Sequence, residues 1–227
     1  MTTTRSWPVQ AILFDLDGTL VDSSRDITAA ANAALATLGV SPRPADQVIR
    51  HVGRGAYNLL SALSGQEGGG VEEAVQVFIN EYRQGGAKAS RLYPGMNKVL
   101  QALEGQLKLA VVSNKPEALV WATLDQLRLD RYFDLVIGGD TLPSKKPDPM
   151  PIQWTVQRLH VPLDKVVLVG DSSTDVEAGR RASVVCCGVT WGFGDPRSSA
   201  AGPPQLLVDA PKNLLRHFAP ERPEQED

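Results

Sequence analysis

Short runs of valine, isoleucine and leucine recur along this chain, and most of them do not alternate with polar residues. They cover residues 9–14, 107–112, 135–137, 166–169 and 184–189. Such runs are typical of strands that are covered on both faces, as in a parallel sheet. Helical patterns lie between the later runs, at residues 116–127, 149–159 and 174–182. The alternation predicts an α/β fold, with a Rossmann-like parallel sheet and helices on both of its sides.

The connection after the first predicted strand breaks this alternation. Between residues 23 and 90 we find helical patterns without a convincing strand, at residues 26–38, 44–51, 57–63 and 71–82. Glycine-rich stretches separate these patterns and are typical of loops. We therefore predict an α/β core (1–20 and 90–219), an inserted all-helical cap (21–89) and, where Pro and Glu dominate, a disordered tail (220–227).

Composition and charge limit the classes of function. The 227 residues carry a formal net charge of −3, which gives no basic field for nucleic acid or an anionic membrane. No apolar run approaches the roughly 18 residues of a membrane span, and we expect no signal peptide in residues 1–10. The two cysteines, Cys186 and Cys187, are adjacent and are predicted to be buried and unpaired. We expect a cytoplasmic monomer or homodimer with no nucleic-acid or membrane partner.

Polar clusters follow four of the predicted strands, at the carboxyl ends where parallel α/β sheets bind ligands. The clusters are Asp15 with Asp17, Ser113 with Asn114, Lys146, and Asp171 with Asp175. Grouped carboxylates stay ionised only beside a cation, and oxygen ligands without nearby His or Cys favour Mg²⁺ over zinc. A lysine and a serine hydroxyl beside them suit a phosphoryl group, which one of the carboxylates can attack.

Four motifs carry a resemblance to a known family. They are Asp15-Leu16-Asp17-Gly18-Thr19, Ser113-Asn114-Lys115, Lys146-Pro147, and Gly170-Asp171-Ser172 with Asp175. In this order, each after a predicted strand, they resemble the motifs of the haloacid-dehalogenase-like hydrolases, and the resemblance covers nearly the whole chain. It implies an α/β core with a helical cap inserted after the first motif, and a Mg²⁺-dependent phosphatase that works through an aspartyl-phosphate.

The resemblance also implies a role for each matching residue. Asp15 would attack phosphorus, while Asp17 would protonate the leaving oxygen and later accept a proton from water. Ser113 would donate to a phosphate oxygen, and Lys146 would neutralise charge and orient Asp15. We choose Lys146 over the adjacent Lys145 because it directly precedes a proline, as the lysine of the family does.

A Mg²⁺ site is a further implication of the resemblance. Its ligands would be the carboxylates of Asp15 and Asp171 and the main-chain carbonyl of Asp17. Asp175 would support the metal directly or through water, although at a helix start it can also act as favourable N-terminal charge. The aspartate at position 17 favours phosphoryl transfer, because members of the family that act on haloacids lack this second aspartate and need no metal.

Longer stretches resemble one branch of the family, the phosphoglycolate phosphatases. They cover residues 14–23, 51–56, 138–143 and 146–149. This resemblance implies hydrolysis of 2-phosphoglycolate to glycolate and phosphate, with specificity supplied by the cap. The predicted substrate-binding residues are Gly53, Arg54, Ser113, Asn114 and Lys146. Arg54 either pairs with a substrate carboxylate or is a solvent-exposed side chain in a turn, and neither interpretation is favoured.

Other functions stay open at this point. Within the fold, the alternatives are a sugar-phosphate phosphatase, a phosphomutase, a pyrophosphatase and a nucleotidase. Thr19 disfavours the mutase, because the related mutases usually carry a small apolar residue at this position. The non-enzyme alternative is a catalytically silent, phosphate-responsive scaffold. Loss of Asp15, Asp17 or Lys146 would favour the scaffold, and all three residues are present.

Overall fold

The strands form where branched apolar residues are most frequent, as the hydrophobic runs predict. The structure is a computed structural model that describes residues 7–218. In chain order the strands are β1 (Ala11–Phe14), β2 (Val21–Asp22), β3 (Arg91–Leu92), β4 (Lys108–Val112), β5 (Leu135–Ile137), β6 (Val166–Gly170), β7 (Val185–Val189) and β8 (Leu206–Val208). Six of them form a parallel sheet in the order β5-β4-β1-β6-β7-β8. The predicted α/β sheet is confirmed, with β8 as an additional edge strand.

Helices connect the strands and cover both faces of the sheet. They are α1 (Ser24–Thr37), α2 (Ala45–Ile49), α3 (Ala56–Ser64), α4 (Gly69–Gly85), α5 (Met96–Leu103), α6 (Glu117–Gln126), α7 (Met150–Leu159), α8 (Ser173–Arg181) and α9 (Leu214–Phe218). Successive residues of a strand point to opposite faces. In β1, Ile12 belongs to a buried cluster with Val120 of α6, whereas Leu13 belongs to a second cluster with Ile152 of α7. The two clusters are the two halves of the core, one on each face.

Helices α1–α4 form an insert between β1 and the other strands of the sheet. They share a buried cluster of their own, which includes Leu35 of α1, Leu60 of α3 and Phe78 of α4. Leu119 of α6 packs into this cluster from the core. The predicted helical insert is therefore present, while its proposed boundaries at residues 21 and 89 stay a prediction.

A short antiparallel ribbon lies where the insert meets the sheet, and the sequence pattern does not indicate it. Val21 of β2 pairs with Leu92 of β3, and Asp22 pairs with Arg91. β2 therefore lies within the range that we predicted to be all-helical. Two residues are too few to display the alternation by which a strand is recognised, so the pairing depends on contacts distant in sequence.

The register of the sheet brings four strand ends to one edge. Phe14 is paired with both Val111 and Val169, and Val112 is paired with Ile137. Because these strands run in the same direction, the residues that follow them converge above the carboxyl edge of β1. The polar clusters predicted from the sequence all follow these strands.

Some predictions concern features away from this edge. Cys186 and Cys187 of β7 are buried and form no disulfide, as predicted. Across residues 7–218, every helix is too short or too polar to cross a bilayer. The disordered tail predicted at 220–227 lies outside the described residues.

Candidate active site

Three buried carboxyl groups meet at the edge of the sheet. Asp15 follows β1, Asp171 follows β6, and Asp175 lies in the first turn of α8. Carboxylate oxygens of the three residues lie within 4.8 Å of one another, close enough to hold a metal ion. Burial raises the pKa of Asp15 to about 7 against the opposing effect of a lysine, and it raises that of Asp171 to about 6. Repulsion between neighbouring carboxylates adds to both increases, so a bound cation would relieve the cluster.

Lys146 is the cation in direct contact with this acidic triad. Its Nζ donates to Asp15 Oδ1 at 2.9 Å and to Asp175 Oδ1 at 2.6 Å, and the side chain is buried. Burial lowers the pKa of Lys146, but the two carboxylates outweigh this effect, so the pKa lies above its ordinary value. The neighbouring Lys145 points elsewhere, because its Nζ would lie 3.0 Å from a Cβ placed on Gly55 of the insert. The structure therefore places Lys146, and not Lys145, beside Asp15.

Asp175 both caps a helix and binds Lys146. Its Oδ2 accepts hydrogen bonds from the Ser172 main-chain N–H at 3.1 Å and from the Ser172 hydroxyl at 2.5 Å. The Ser172 hydroxyl oxygen in turn accepts from the Asp175 main-chain N–H, which completes a capping box at the start of α8. The sequence raised two roles for Asp175, support of a metal site and favourable charge at the helix start. Its position in the triad and in the capping box allows one side chain to serve both.

Asp171 is held by groups that the sequence did not indicate. Its Oδ2 accepts hydrogen bonds from the main-chain N–H groups of Phe193 at 2.7 Å and Gly194 at 3.0 Å, in the loop after β7. Its Oδ1 accepts a longer bond of 3.3 Å from the Thr19 hydroxyl. A Cβ on Gly192 would lie 2.3 Å from Asp171 Cβ, so the loop can approach this closely only with glycine there. These contacts fix the orientation of the Asp171 carboxylate.

The Asp17 carboxylate lies apart from the triad and pairs with Lys115. Lys115 Nζ donates to its two oxygens at 3.0 and 3.2 Å, and the Ser23 hydroxyl donates to Asp17 Oδ1 at 2.5 Å. The ammonium also lies 3.9 Å from the centre of the Tyr82 ring of α4. Burial lowers the pKa of Lys115, but the Asp17 carboxylate outweighs it and the pKa is raised. The group of carboxylates that could hold a metal ion does not include the Asp17 side chain, so a contact through the Asp17 main-chain carbonyl stays a prediction.

Lys115 is a residue of the candidate site that the sequence reasoning missed. It belongs to the second motif, but we assigned it no role. A lysine that directly follows a buried strand end is expected to extend into solvent, whereas this side chain is buried. Its position next to Ser113 and Asn114 is the signal that could have revealed it.

Ser113 and Asn114 lie buried at the end of β4. The Ser113 hydroxyl oxygen accepts a 3.3 Å hydrogen bond from the Lys115 main-chain N–H. Asn114 Nδ2 donates to the main-chain carbonyls of Gly53 at 2.8 Å and Lys146 at 2.7 Å. The predicted substrate-binding residues Asn114 and Gly53 are therefore bonded to each other, and they connect the core to the insert.

A cavity beside Asp15 is enclosed by the core and the insert. The core contributes Asp15, Asp17, Ser113, Asn114, Lys115 and Pro116. The insert contributes Ile27, Val52, Gly53, Gly55, Ala56, Leu59 and Phe78. Arg54, also predicted to bind substrate, does not line this cavity. It is exposed and lines a separate cleft near Ser172 and Asp195.

Comparison with known proteins gives consistent matches. A profile of the family described as haloacid dehalogenase-like hydrolase matches residues 12–189. The chain is similar to phosphoglycolate phosphatase 1 of Pseudomonas aeruginosa, with 38% identity over 212 residues that cover 90% of this chain and 78% of the relative. It is 38% identical to the phosphoglycolate phosphatase of Aquifex aeolicus over 209 residues, which cover 92% of this chain and 96% of the relative. A solved structure described as a predicted phosphoglycolate phosphatase of Haemophilus somnus has a TM-score of 0.82 and 29% identity, with 95% of this chain and 99% of that chain covered.

Proposed function

This chain belongs to the haloacid dehalogenase-like hydrolases, and we propose that it is a Mg²⁺-dependent phosphatase with 2-phosphoglycolate as its substrate. The observation that carries the proposal is the setting of Asp15. Its buried carboxylate has the Lys146 ammonium 2.9 Å away and lies within 4.8 Å of two further carboxylates. A nucleophile, a fixed positive charge and a set of oxygen ligands are the groups that transfer of a phosphoryl group to a protein carboxylate requires.

The donor set fits Mg²⁺. It consists of carboxylate oxygens without His or Cys, which hard divalent cations prefer. Asp15, Asp171 and the main-chain carbonyl of Asp17 would hold the ion. Both oxygens of Asp175 already accept hydrogen bonds from protein donors, which favours support through water over direct coordination. When bound, Mg²⁺ would neutralise charge on the phosphate and bring its phosphorus towards Asp15.

The chain's own residues would carry out two successive displacements. In the first, an Asp15 oxygen forms a bond to phosphorus while the bond from phosphorus to the leaving oxygen breaks. Asp17, in its protonated form, gives its proton to that oxygen, and glycolate departs. In the second, Asp17 accepts a proton from a water molecule, whose oxygen attacks phosphorus and releases Asp15 with inorganic phosphate. Ser113 would donate to the phosphoryl oxygens, and Lys146 would keep Asp15 ionised and oriented.

Two considerations support 2-phosphoglycolate among small phosphate esters. Two relatives that cover nearly the whole of this chain bear the name phosphoglycolate phosphatase. The cavity beside Asp15 is closed by the insert, whose contribution is largely apolar, and such a wall offers few partners for the hydroxyl groups of a sugar. We further propose a monomer or homodimer that acts in the cytoplasm, without a nucleic-acid or membrane partner, as the unpaired cysteines and the charge favour.

Phosphate release from a panel of esters tests this proposal. The panel contains 2-phosphoglycolate, sugar phosphates, nucleoside monophosphates and pyrophosphate, each with Mg²⁺ or with EDTA. We expect the highest kcat/KM for 2-phosphoglycolate and loss of turnover in EDTA. Broad, weak turnover would retain the phosphatase and reject the substrate. Absence of turnover for every ester with Mg²⁺ present would reject the phosphatase and favour the scaffold or the mutase.

A further inference from the structure

The cavity beside Asp15 contains one cationic side chain among the described residues that line it, and that side chain is Lys115. We propose that Lys115 binds the carboxylate of the substrate's leaving group and thereby selects phosphate esters with a negative charge beside the ester oxygen. This inference rests on the proposed function and deepens it. It gives a residue of the core the role that the sequence analysis raised as one of two interpretations of Arg54.

The position of Arg54 does not suit a carboxylate that lies next to the reacting phosphate. Its side chain is exposed and lines the cleft with Ser172 and Asp195. Its neighbours Gly53 and Gly55 do line the cavity, so the loop approaches the site through glycines while the arginine lies on the other side of the loop. A carboxylate bound by Arg54 would lie in that second cleft.

Lys115 lies beside the residue that is proposed to act on the leaving group. Its ammonium is 3.0 Å from the carboxylate of Asp17, the residue proposed to protonate the leaving oxygen. In 2-phosphoglycolate, a single methylene separates this oxygen from the carboxylate carbon. A substrate whose leaving oxygen contacts Asp17 can therefore place its carboxylate within a hydrogen bond's reach of the Lys115 ammonium.

One donor of the Lys115 ammonium would become available during the reaction. Its three N–H groups face the two oxygens of Asp17 and the face of the Tyr82 ring. Asp17 turns one oxygen to the leaving oxygen during the reaction, and the N–H that this oxygen had accepted becomes available to the substrate. Tyr82 keeps the ammonium at the cavity wall, because the hydroxyl of Tyr82 is itself bonded to Thr123 of α6 at 3.2 Å.

Burial makes this contact selective. A carboxylate in the cavity loses water and requires a hydrogen-bonded cation, because an unpaired buried charge is strongly unfavourable. The wall that the insert contributes contains apolar side chains such as Ile27, Leu59 and Phe78, which cannot pair with the charge of a carboxylate. Of the other ammonium groups nearby, that of Lys146 binds two carboxylates of the triad, and that of Lys145 lies near Gly55 but does not line the cavity. Lys115 is therefore the cation that the cavity itself offers to a carboxylate beside the leaving oxygen.

The test compares two phosphate esters of similar length. Steady-state kcat and KM are measured with Mg²⁺ for 2-phosphoglycolate and for ethyl phosphate, which has an uncharged leaving group. The variants are Lys115→Met, which keeps the length without the charge, Lys115→Arg, which restores a charge, and Arg54→Met. Lys145→Met serves as the matched control, because the Lys145 ammonium lies near Gly55 but does not line the cavity. Thermal unfolding establishes that each variant is folded.

We expect Lys115→Met to lower the ratio of the two kcat/KM values, 2-phosphoglycolate over ethyl phosphate, by about ten- to a hundredfold. Lys115→Arg is expected to restore part of the ratio, and Lys145→Met is expected to leave it unchanged. An equal loss on both esters would overturn the inference, because Lys115 would then act only on Asp17. Selective loss in Arg54→Met, with none in Lys115→Met, would also overturn it.

A binding measurement keeps the inference testable where Lys115→Met turns over too slowly. The probes are 3-phosphonopropionate, which replaces the ester oxygen of 2-phosphoglycolate by a methylene, and propylphosphonate, which lacks the carboxylate. Calorimetry with Mg²⁺ is expected to show tighter binding of 3-phosphonopropionate to the wild-type protein and equal binding of both probes to Lys115→Met. Preference retained in Lys115→Met would contradict the inference. Failure of the wild-type protein to hydrolyse either ester would instead reject the proposed function itself.

Discussion

The side-chain amide of Asn114 donates a 2.8 Å hydrogen bond to the main-chain carbonyl of Gly53, and this bond joins the core to the helical insert. The same Nδ2 donates to the carbonyl of Lys146 at 2.7 Å, so one amide ties together the second motif, the lysine loop and the loop of the insert. Because Gly53 also lines the cavity beside Asp15, the bond holds the insert over the proposed nucleophile.

Asn114→Ala is expected to weaken closure of the insert. Loss of two buried hydrogen bonds corresponds to about 1–3 kcal/mol, and we expect KM for the phosphate ester to rise roughly tenfold. Asn58→Ala is the matched control, because Asn58 Nδ2 donates to the Arg54 carbonyl within the insert alone. Steady-state kinetics on both variants checks the prediction, and an equal change in KM for the two would show that Asn114 has no special part in closure.

Lys146→Met is expected to reduce both activity and stability, whereas Lys145→Met changes neither by much. Removing the Lys146 ammonium leaves Asp15 and Asp175 without their shared buried cation, and breaking such a contact costs about 3–5 kcal/mol. We expect kcat to fall by at least about a hundredfold. Urea unfolding in EDTA and phosphate release with Mg²⁺ measure the two effects. Similar losses in both variants would contradict the distinct positions of the two lysines.

Gly192→Ala is expected to disturb the proposed metal site from a distance along the chain. Its Cβ would lie 2.3 Å from Asp171 Cβ and from the main-chain oxygen of Gly18, so the loop after β7 has to shift. We expect a higher Mg²⁺ concentration for half-maximal activity and a loss of about 1–3 kcal/mol in stability. Gly85→Ala is the control, because a Cβ there meets no atom within 4 Å. An unchanged Mg²⁺ requirement in Gly192→Ala would show that this loop does not position Asp171.

The acidic triad predicts how stability depends on pH without metal. Burial raises the pKa of Asp15 to about 7 and that of Asp171 to about 6, both from a reference value of 3.8. At pH values between the reference pKa and the raised pKa values, the folded state binds more protons than the unfolded state. The free energy of unfolding therefore falls as pH rises from about 4 to about 7. In EDTA we expect this free energy to be lower at pH 8 than at pH 5, by roughly 4 kcal/mol.

Mg²⁺ is expected to reverse this trend, because it binds the ionised carboxylates and stabilises the folded state more at pH 8 than at pH 5. Urea unfolding at the two pH values, with EDTA or Mg²⁺, measures both effects. Asp15→Asn serves as a control and is expected to show a smaller pH dependence in EDTA. Stability in EDTA that rises from pH 5 to pH 8 would contradict the raised pKa values.

The sequence predicted those parts of the molecule that follow from local pattern and from the rules of parallel sheets. The strands β1, β4, β5, β6 and β7 stand out as apolar runs, and the convergence of their carboxyl ends brings Asp15, Lys146, Asp171 and Asp175 together. No exact geometry is needed for that step, because the topology alone places these residues at one edge.

The remaining features depend on contacts that no local pattern encodes. Strands β2 and β8 are too short or too exposed to display a periodic signal. The burial of Lys115 depends on Tyr82, which lies far away in sequence on the insert. The direction of the Arg54 side chain likewise follows from the backbone of the loop between two glycines, both of which have positive φ values. Sequence therefore indicated which residues gather, but not which of the cations faces the cavity.

Phosphate release by the wild-type protein and by Asp15→Asn, with 2-phosphoglycolate and Mg²⁺, tests the central claim most directly. Asparagine keeps the shape of the side chain but cannot serve as the nucleophile at phosphorus. A covalent mechanism through Asp15 predicts turnover by the wild-type protein and a loss of at least about a thousandfold in the variant. Turnover by a folded Asp15→Asn protein at a rate close to that of the wild type would contradict the aspartyl-phosphate mechanism.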